Sequence, residues 1–267
     1  MTVLVHLSDL HFGAEEPAVV AALAEDIARD PPDLVAVSGD LTQRARHREF
    51  EAAARFLRDL PAPVLAVPGN HDVTPYDVLE RFADPWRRWR IHVSVETEPS
   101  WTDGTVAVVG LNTARRGGLY LNWARGRVGG GRLGRLGRKL AALPEGAFRV
   151  VVAHHPFAPP AMAPDARVVG GAAPALALFA RHRVGLVLTG HLHLPDIGVA
   201  RSAEGVTLVQ AATATSHRLR GAPNAYHRIR IEDGAAWVST RVWESGAWRD
   251  AERAETHGSN IAASDTA

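Results

Sequence analysis

The sequence predicts an α/β chain with one principal domain, built on a mixed sheet or on two sheets packed face to face with helices outside. Three observations carry this. Short apolar runs alternate with helix-period patterns, the signature of β-α-β units. The last three strand candidates follow one another with only turns between, which suits a mixed arrangement rather than a purely parallel one. The composition, 46% hydrophobic and 22% charged over 267 residues, is that of a globular protein with a substantial core.

Taken in order, apolar runs predict strands at Val3–Ser8, Leu34–Ser38, Val64–Val67, Val106–Leu111, Val150–His154, Val184–Thr189, Val206–Ala211, Tyr226–Ile231 and Ala236–Trp243. Helical periodicity predicts helices at Ala18–Arg29, Arg46–Leu60, Tyr76–Trp86, Arg132–Leu143 and Ala175–His182. Several of these are introduced by Pro or Asp and followed by Pro or Gly, as helix ends often are. The Gly- and Arg-rich stretch Gly117–Gly134 has no periodicity and reads as a loop leading into a helix. From about Arg249 the hydrophobic pattern fades, so the domain is expected over residues 1–248 and a mobile tail over 249–267.

Composition also narrows the function. The chain has no cysteine, which excludes disulfides and thiolate ligands, so any metal must be held by nitrogen and oxygen. The opening segment lacks the basic and small-residue features of a signal peptide, and no apolar run approaches the roughly 18 residues of a membrane helix. A cytoplasmic protein with no membrane partner is therefore expected. The net charge of +1 does not point to nucleic acid, which is not an expected partner; a homo-oligomer is left open. Charge is unevenly distributed: from Thr105 to Pro144 there is no acidic residue, while Arg115, Arg116, Arg125, Arg127, Arg132, Arg135, Arg138 and Lys139 all fall there. Such a run reads first as a solvated face and second as a rim that attracts an anionic substrate.

Five short blocks each stand just after a predicted strand: Asp9-Leu10-His11, Gly39-Asp40, Gly69-Asn70-His71-Asp72, His154-His155-Pro156 and Gly190-His191-Leu192-His193. Loops beyond the carboxyl ends of parallel strands gather on one edge, so residues this far apart in sequence can meet. In Asp9-x-His11 and His191-x-His193, residues two apart project the same way if the backbone stays extended. Together the blocks deliver two Asp, one Asn and four His as hard or borderline donors. Seven donors are too many for one open catalytic ion and suit two, provided Asp40 bridges. Two such ions sit roughly 3.5–4 Å apart and activate water for attack on phosphorus. Each block alone is more ordinarily a turn, a cap or a strand end; their order and their placement at strand ends make the case.

These blocks, with Ser8-Asp9-Leu10-His11, Ser38-Gly39-Asp40-Leu41-Thr42, Pro68-Gly69-Asn70-His71-Asp72 and Leu188-Thr189-Gly190-His191-Leu192-His193 as they stand here, resemble the calcineurin-like metallophosphoesterases over roughly residues 1–245. Within that superfamily the chain is most similar to bacterial class III cyclic-nucleotide phosphodiesterases and glycerophosphodiesterases. The resemblance implies a β-sandwich of two mixed sheets flanked by helices. It assigns Asp9, His11, Asp40 and His193 to one metal and Asp40, Asn70, His154 and His191 to a second, the ions being Fe, Mn or Zn. His155 then supports the site or the fold. The resemblance also makes His71 catalytic without being a ligand, with Asp72 as its orienting carboxylate. The implied reaction is in-line attack on a small phosphate ester, such as cAMP or another diester, by a hydroxide held between the ions, with His71 assisting the leaving group.

His217, Arg218 and Asn224, in a loop where relatives border the site mouth, and Asn112, after a strand, are candidate substrate contacts. Trp86 and Trp89 read as core or interface packing, and His6, His47, His92, His182, His227 and His257 as structural or surface residues. Two other functions fit the same fold. A nucleotide-sugar-lipid pyrophosphatase usually has Arg where this chain has His71. A binding scaffold without catalysis would lack ligands, and here all are present.

Overall fold

The computed structural model describes residues 1–117, 124–199 and 206–251. In chain order the elements are β1 (Thr2–Leu7), α1 (Pro17–Arg29), β2 (Leu34–Val37), α2 (His47–Asp59), β3 (Val64–Ala66), α3 (Val78–Ala83), α4 (Arg87–His92), β4 (Ser100–Thr102) and β5 (Val106–Leu111). There follow α5 (Gly130–Ala141), β6 (Phe148–Ala153), α6 (Ala172–Arg181), β7 (Val184–Thr189), β8 (Asp196–Val199), β9 (Thr207–Gln210), β10 (Ala225–Glu232), β11 (Ala235–Glu244) and β12 (Ala247–Asp250). Among the described residues, no helix is long and apolar enough to cross a membrane.

Two six-stranded mixed sheets form the core, ordered β12-β11-β10-β1-β2-β3 and β4-β5-β6-β7-β9-β8. Alternation along each strand explains the layers. Leu4 on β1, Leu34 and Ala36 on β2, Val106 and Val108 on β5, Val150 and Val152 on β6 and Leu186 and Leu188 on β7 interdigitate between the sheets. Their neighbours Val5, Leu7, Val35 and Val37 face outward instead and are covered by α1, α2 and Trp89 of α4. On the other side Val109, Leu111, Val151 and Val187 are covered by α5 and α6. The helix α2 opens on a carboxylate cap: Glu49 Oε2 accepts from Arg44 N at 2.7 Å and Arg46 N at 3.3 Å, satisfying two amides near the helix start.

A buried ionic link pins α1 to the first sheet. Asp26 accepts from the Tyr226 hydroxyl at 2.6 Å and from Arg241 Nη2 at 2.7 and 2.8 Å, and is only 6% exposed. Asp26→Ala leaves the Tyr226 hydroxyl without its acceptor and the Arg241 guanidinium with only Asp250 and Trp248 O, and is expected to lower the unfolding free energy by about 2 kcal/mol. Urea unfolding followed by circular dichroism checks this; a loss within about 0.5 kcal/mol, as for an ordinary surface change, would show the link to be dispensable.

Sequence periodicity misjudged four features. The helix expected over Tyr76–Trp86 is only α3, and a second short helix, α4, begins beyond its expected end. Pro85 disfavours helical geometry at the residue before it, and Asp84 accordingly has φ −149° and ψ 74°. Strands β4, β8 and β12 were not foreseen; Ser-Trp-Thr, Asp-Ile-Gly-Val and Ala-Trp-Arg-Asp each break the apolar run that marks equally short strands such as β2 and β3. The final three expected strands do not form one meander. β9 pairs with β7 and β8 in the second sheet, and residues 211–224 carry the chain across to β10 in the first. β10–β11 and β11–β12 are tight hairpins, through Asp233-Gly234 and Ser245-Gly246, whose paired positive φ values (49° and 75°, 51° and 79°) match the right-handed strand twist. Strand β12 therefore continues through Asp250, past the boundary expected at 248; residues 252–267 of the expected tail lie outside the described residues.

Candidate metal centre

All five blocks meet where the carboxyl ends of β1, β2 and β3 in one sheet adjoin those of β6 and β7 in the other. The loop after β1 runs beside the loop after β2, with Asp9 N donating to Gly39 O (3.0 Å), His11 N to Asp40 O (3.0 Å) and Phe12 N to Leu41 O (2.9 Å). Gly190 N donates to His154 O at 3.0 Å and so joins the loops after β6 and β7. The backbone here is not extended. Asp9 (φ 53°), His11 (48°), Asp40 (53°), His191 (74°) and His193 (59°) all occupy the left-handed region, so kinks, not the pleat of a strand, turn each Asp-x-His and His-x-His pair inward. Asp and His tolerate that conformation better than most residues, and such strain gathers at functional sites.

Glycines act here mainly by leaving room. A Cβ on Gly190 would lie 1.8 Å from Ser8 Oγ and 2.4 Å from Asp9 Oδ2, and one on Gly69 would lie 2.1 Å from Asp40 Oδ1. Gly190→Ala is therefore expected to displace Asp9 and reduce bound metal about 10-fold or more. Metal analysis after dialysis checks this, and wild-type metal content in the variant would refute it.

The donor atoms define two adjoining clusters. In the first, His193 Nε2 lies 3.1 Å from both Asp9 Oδ1 and His11 Nε2, and His11 Nε2 lies 3.6 Å from Asp9 Oδ1. In the second, His154 Nε2 lies 3.3 Å from Asp40 Oδ2, 3.2 Å from Asn70 Oδ1 and 3.3 Å from His191 Nδ1. Asp40 Oδ2 is also 3.8 Å from His11 Nε2, so one carboxylate oxygen faces both.

The hydrogen bonds behind the rings fix what the facing atoms are. His154 Nδ1 lies 2.8 Å from Ser38 O and His193 Nδ1 lies 2.8 Å from Arg218 O. A carbonyl only accepts, so both rings donate through Nδ1 and present an Nε2 lone pair inward. Acceptors thus face acceptors, and Asp9 Oδ1 is buried without a hydrogen-bond partner. Only a cation or a proton relieves that arrangement. Burial opposes charge on all these groups, yet the carboxylates raise His154 to about 9 and raise His193, while Asp9 and Asp40 are held below the usual carboxylate range. Burial, reinforced by His154, lowers His191 to about 4. The residues present therefore fit the nitrogen- and oxygen-ligated metal centre that the family implies.

The remaining sequence candidates divide. His71 is at the site, its ring edge-on to that of His11 with centroids 4.9 Å apart. Asp72 does not orient it. The Asp72 carboxylate instead accepts from the amides of Leu41 (3.2 Å), Thr42 (2.9 Å) and Gly69 (2.9 Å) and so joins the loops after β2 and β3, while Gln43 O takes His71 Nδ1 at 2.7 Å. Burial and the neighbouring Asp40 raise Asp72 to about 6. His155 occupies both ring nitrogens with Thr113 Oγ1 (2.7 Å) and Ala124 O (2.9 Å), which leaves it no lone pair for a metal. Asn112 is buried with Oδ1 on Ala114 N, and Asn224 is buried with Nδ2 on Thr213 O and Ser216 O. His217 is exposed and Arg218 half-buried at the mouth.

Part of the Arg-rich run is tied down rather than free: Arg132 Nη1 donates to Ala114 O at 3.1 Å and Arg135 lies 3.7 Å from Glu98. Trp89 is fully buried and Trp86 packs against the same core. His6 and His227 stack inside the sandwich at 5.7 Å, where burial lowers both. His257 lies outside the described residues.

Sequence reasoning missed the backbone carbonyls of Ser38, Gln43 and Arg218, which any residue could supply. It also missed Thr213 and Thr215, whose hydroxyls donate to Asp9 O (2.6 Å) and Leu10 O (2.7 Å) and hold the first ligand loop in place. The one visible signal was the polar alternation in Thr213-Ala-Thr215-Ser216.

Comparison with known proteins finds relatives in sequence and in fold. A glycerophosphodiester phosphodiesterase of Enterobacter lignolyticus is 36% identical over 80 residues, a match spanning 26% of this chain and 29% of that protein. A Synechococcus protein named as a probable cyclic nucleotide phosphodiesterase is 23% identical over 266 residues, covering 90% of this chain and 91% of that one. The crystal structure of a dimetal phosphatase from Danio rerio shares the fold, with a TM-score of 0.67 at 12% identity over 90% of this chain and 96% of that one. The calcineurin-like phosphoesterase model matches residues 2–195, the span that holds every candidate ligand, and the chain belongs to that family.

Proposed function

We propose that the protein is a dinuclear-metal phosphodiesterase acting on small diesters, cyclic nucleotides among them. The observation that carries this is the pair of acceptor clusters sharing Asp40 Oδ2, an arrangement suited to two ions at bridging distance. When bound, such ions lower the pKa of a water nucleophile and neutralise charge on the phosphoryl oxygens. The chain's own residues do the rest. The carbonyls of Ser38 and Arg218 keep His154 and His193 in the tautomer that can ligate. Gln43 O holds the Nδ1–H of His71, so Nε2 is the atom left to carry a proton to the departing oxygen. The two relatives whose names specify phosphodiesterases support a diester, and the second matches nearly the whole chain.

The test is a panel of bis(4-nitrophenyl) phosphate, 4-nitrophenyl phosphate, cAMP and a glycerophosphodiester, compared by kcat/KM after loading with Mn, Zn or Fe. Diesters are expected to be preferred. Inactivity with every metal would sink the enzyme, and a higher specificity constant for the monoester would sink the diester assignment.

A further inference from the structure

We infer that Gln43 and Arg218 form a clasp across the mouth of the site that positions His71 and His193 together. The inference rests on the function proposed above for its catalytic part and on geometry alone for its metal part. Three bonds define it. Arg218 Nη1 donates to Gln43 Oε1 at 3.2 Å, joining the side chains of two loops 175 residues apart in sequence. The backbone carbonyl of Gln43 receives His71 Nδ1 at 2.7 Å, and the backbone carbonyl of Arg218 receives His193 Nδ1 at 2.8 Å. Each partner of the clasp therefore orients one site imidazole with its main chain and holds the other partner with its side chain.

The two ends are anchored unequally. Gln43 is fixed by its own amide, which donates to Phe12 O at 2.9 Å, and Phe12 continues the loop bearing Asp9 and His11. Arg218 lies in a stretch whose neighbours His217, Leu219 and Arg220 are all exposed, and its amide reaches only as far as Ser216 Oγ, at 3.1 Å. The flanking amides are held by His217 N on Ala14 O at 3.2 Å and Leu219 N on His217 O at 2.9 Å, and the guanidinium on Gln43 adds the one side-chain restraint that links Arg218 itself to the opposite loop. Without the clasp the Arg218 carbonyl can turn away, and His193 can then rotate or adopt the tautomer that hides its ligating lone pair. Arg218 acts in this way as a positioning residue.

The test compares full-length wild type with Gln43→Ala, Arg218→Ala, the double variant and Gln43→Glu. Two readouts are taken: Mn2+ affinity by calorimetric titration, and kcat and KM on bis(4-nitrophenyl) phosphate and cAMP. Each alanine variant is expected to weaken Mn2+ binding and lower kcat by about 10-fold, with KM little changed. The double variant is expected to be no worse than the poorer single, because one bond has been cut from either end. Gln43→Glu, whose carboxylate accepts from the same guanidinium, is expected to bind Mn2+ more tightly and turn over faster than Gln43→Ala. Additive losses, an unchanged Mn2+ affinity in both single variants, or a KM increase confined to Arg218→Ala would overturn the clasp, the last by making Arg218 a substrate contact. A wild-type protein that binds Mn2+ but cleaves none of these esters would refute the phosphodiesterase reading, and the Mn2+ titrations would still decide the clasp.

Discussion

Asp40→Ala is expected to strip metal from both clusters at once and to abolish phosphodiester hydrolysis. Asp40 Oδ2 lies 3.3 Å from His154 Nε2 and 3.8 Å from His11 Nε2, so it faces the second cluster and the first alike. Its other oxygen accepts the His71 amide at 2.8 Å, which fixes the carboxylate and ties the catalytic candidate to it. Removing the group takes away the shared negative charge while leaving four imidazoles, three of them buried, and cations no longer gain enough to enter. Loss of an interaction with two charges of this kind amounts to several kcal/mol, or on the order of a thousandfold in kcat/KM. Asn70→Ala, by contrast, touches only the second cluster and is expected to leave one ion per chain. Metal analysis of both variants, with thermal unfolding as a folding control, decides the matter. A variant at position 40 that keeps one tightly held ion would show that Asp40 serves a single metal.

His71→Ala should separate chemistry from metal binding. Its ring is edge-on to His11, but its Nδ1 is committed to Gln43 O, and the seven donors of the two clusters are complete without it. Full metal content is therefore expected together with a kcat reduced by about 10²–10⁴-fold, the range for losing a positioned acid or base. The loss should be greatest for diesters with alkoxide leaving groups and least for 4-nitrophenolate, which departs without a proton. Loss of metal with activity would make His71 a ligand instead. An equal loss for every leaving group would give it a role other than proton donation.

Much of this centre was legible in the sequence because its signals are local. Asp9, His11, Asp40, Asn70, His154, His191 and His193 each stand just beyond an apolar run, and parallel strands deliver such positions to a common edge. The resemblance to the family assigned His154 rather than His155, and in the structure His154 Nε2 faces Asp40 and Asn70 while His155 bonds Thr113 and Ala124. What failed were inferences that needed a three-dimensional neighbour. Asp72 follows His71 directly yet turns its carboxylate to the amides of Leu41, Thr42 and Gly69. Asn112 and Asn224 have the polarity of substrate contacts, yet both are buried and each bonds the backbone of its own loop.

By itself the sequence determined the donor chemistry of this protein: nitrogen and oxygen ligands without sulfur, placed in order at strand ends, with glycines beside them. Those properties belong to side-chain identity and to periods of two and 3.6 residues, which a linear chain displays. Only the tertiary structure decided which lone pairs point inward, that Asp40 stands between the clusters, and that Gln43 and Arg218 meet across the mouth. The physical reason is that backbone carbonyls set the histidine tautomers, and left-handed kinks set the directions of the ligands. Neither a carbonyl nor a kink of that kind has a residue letter of its own.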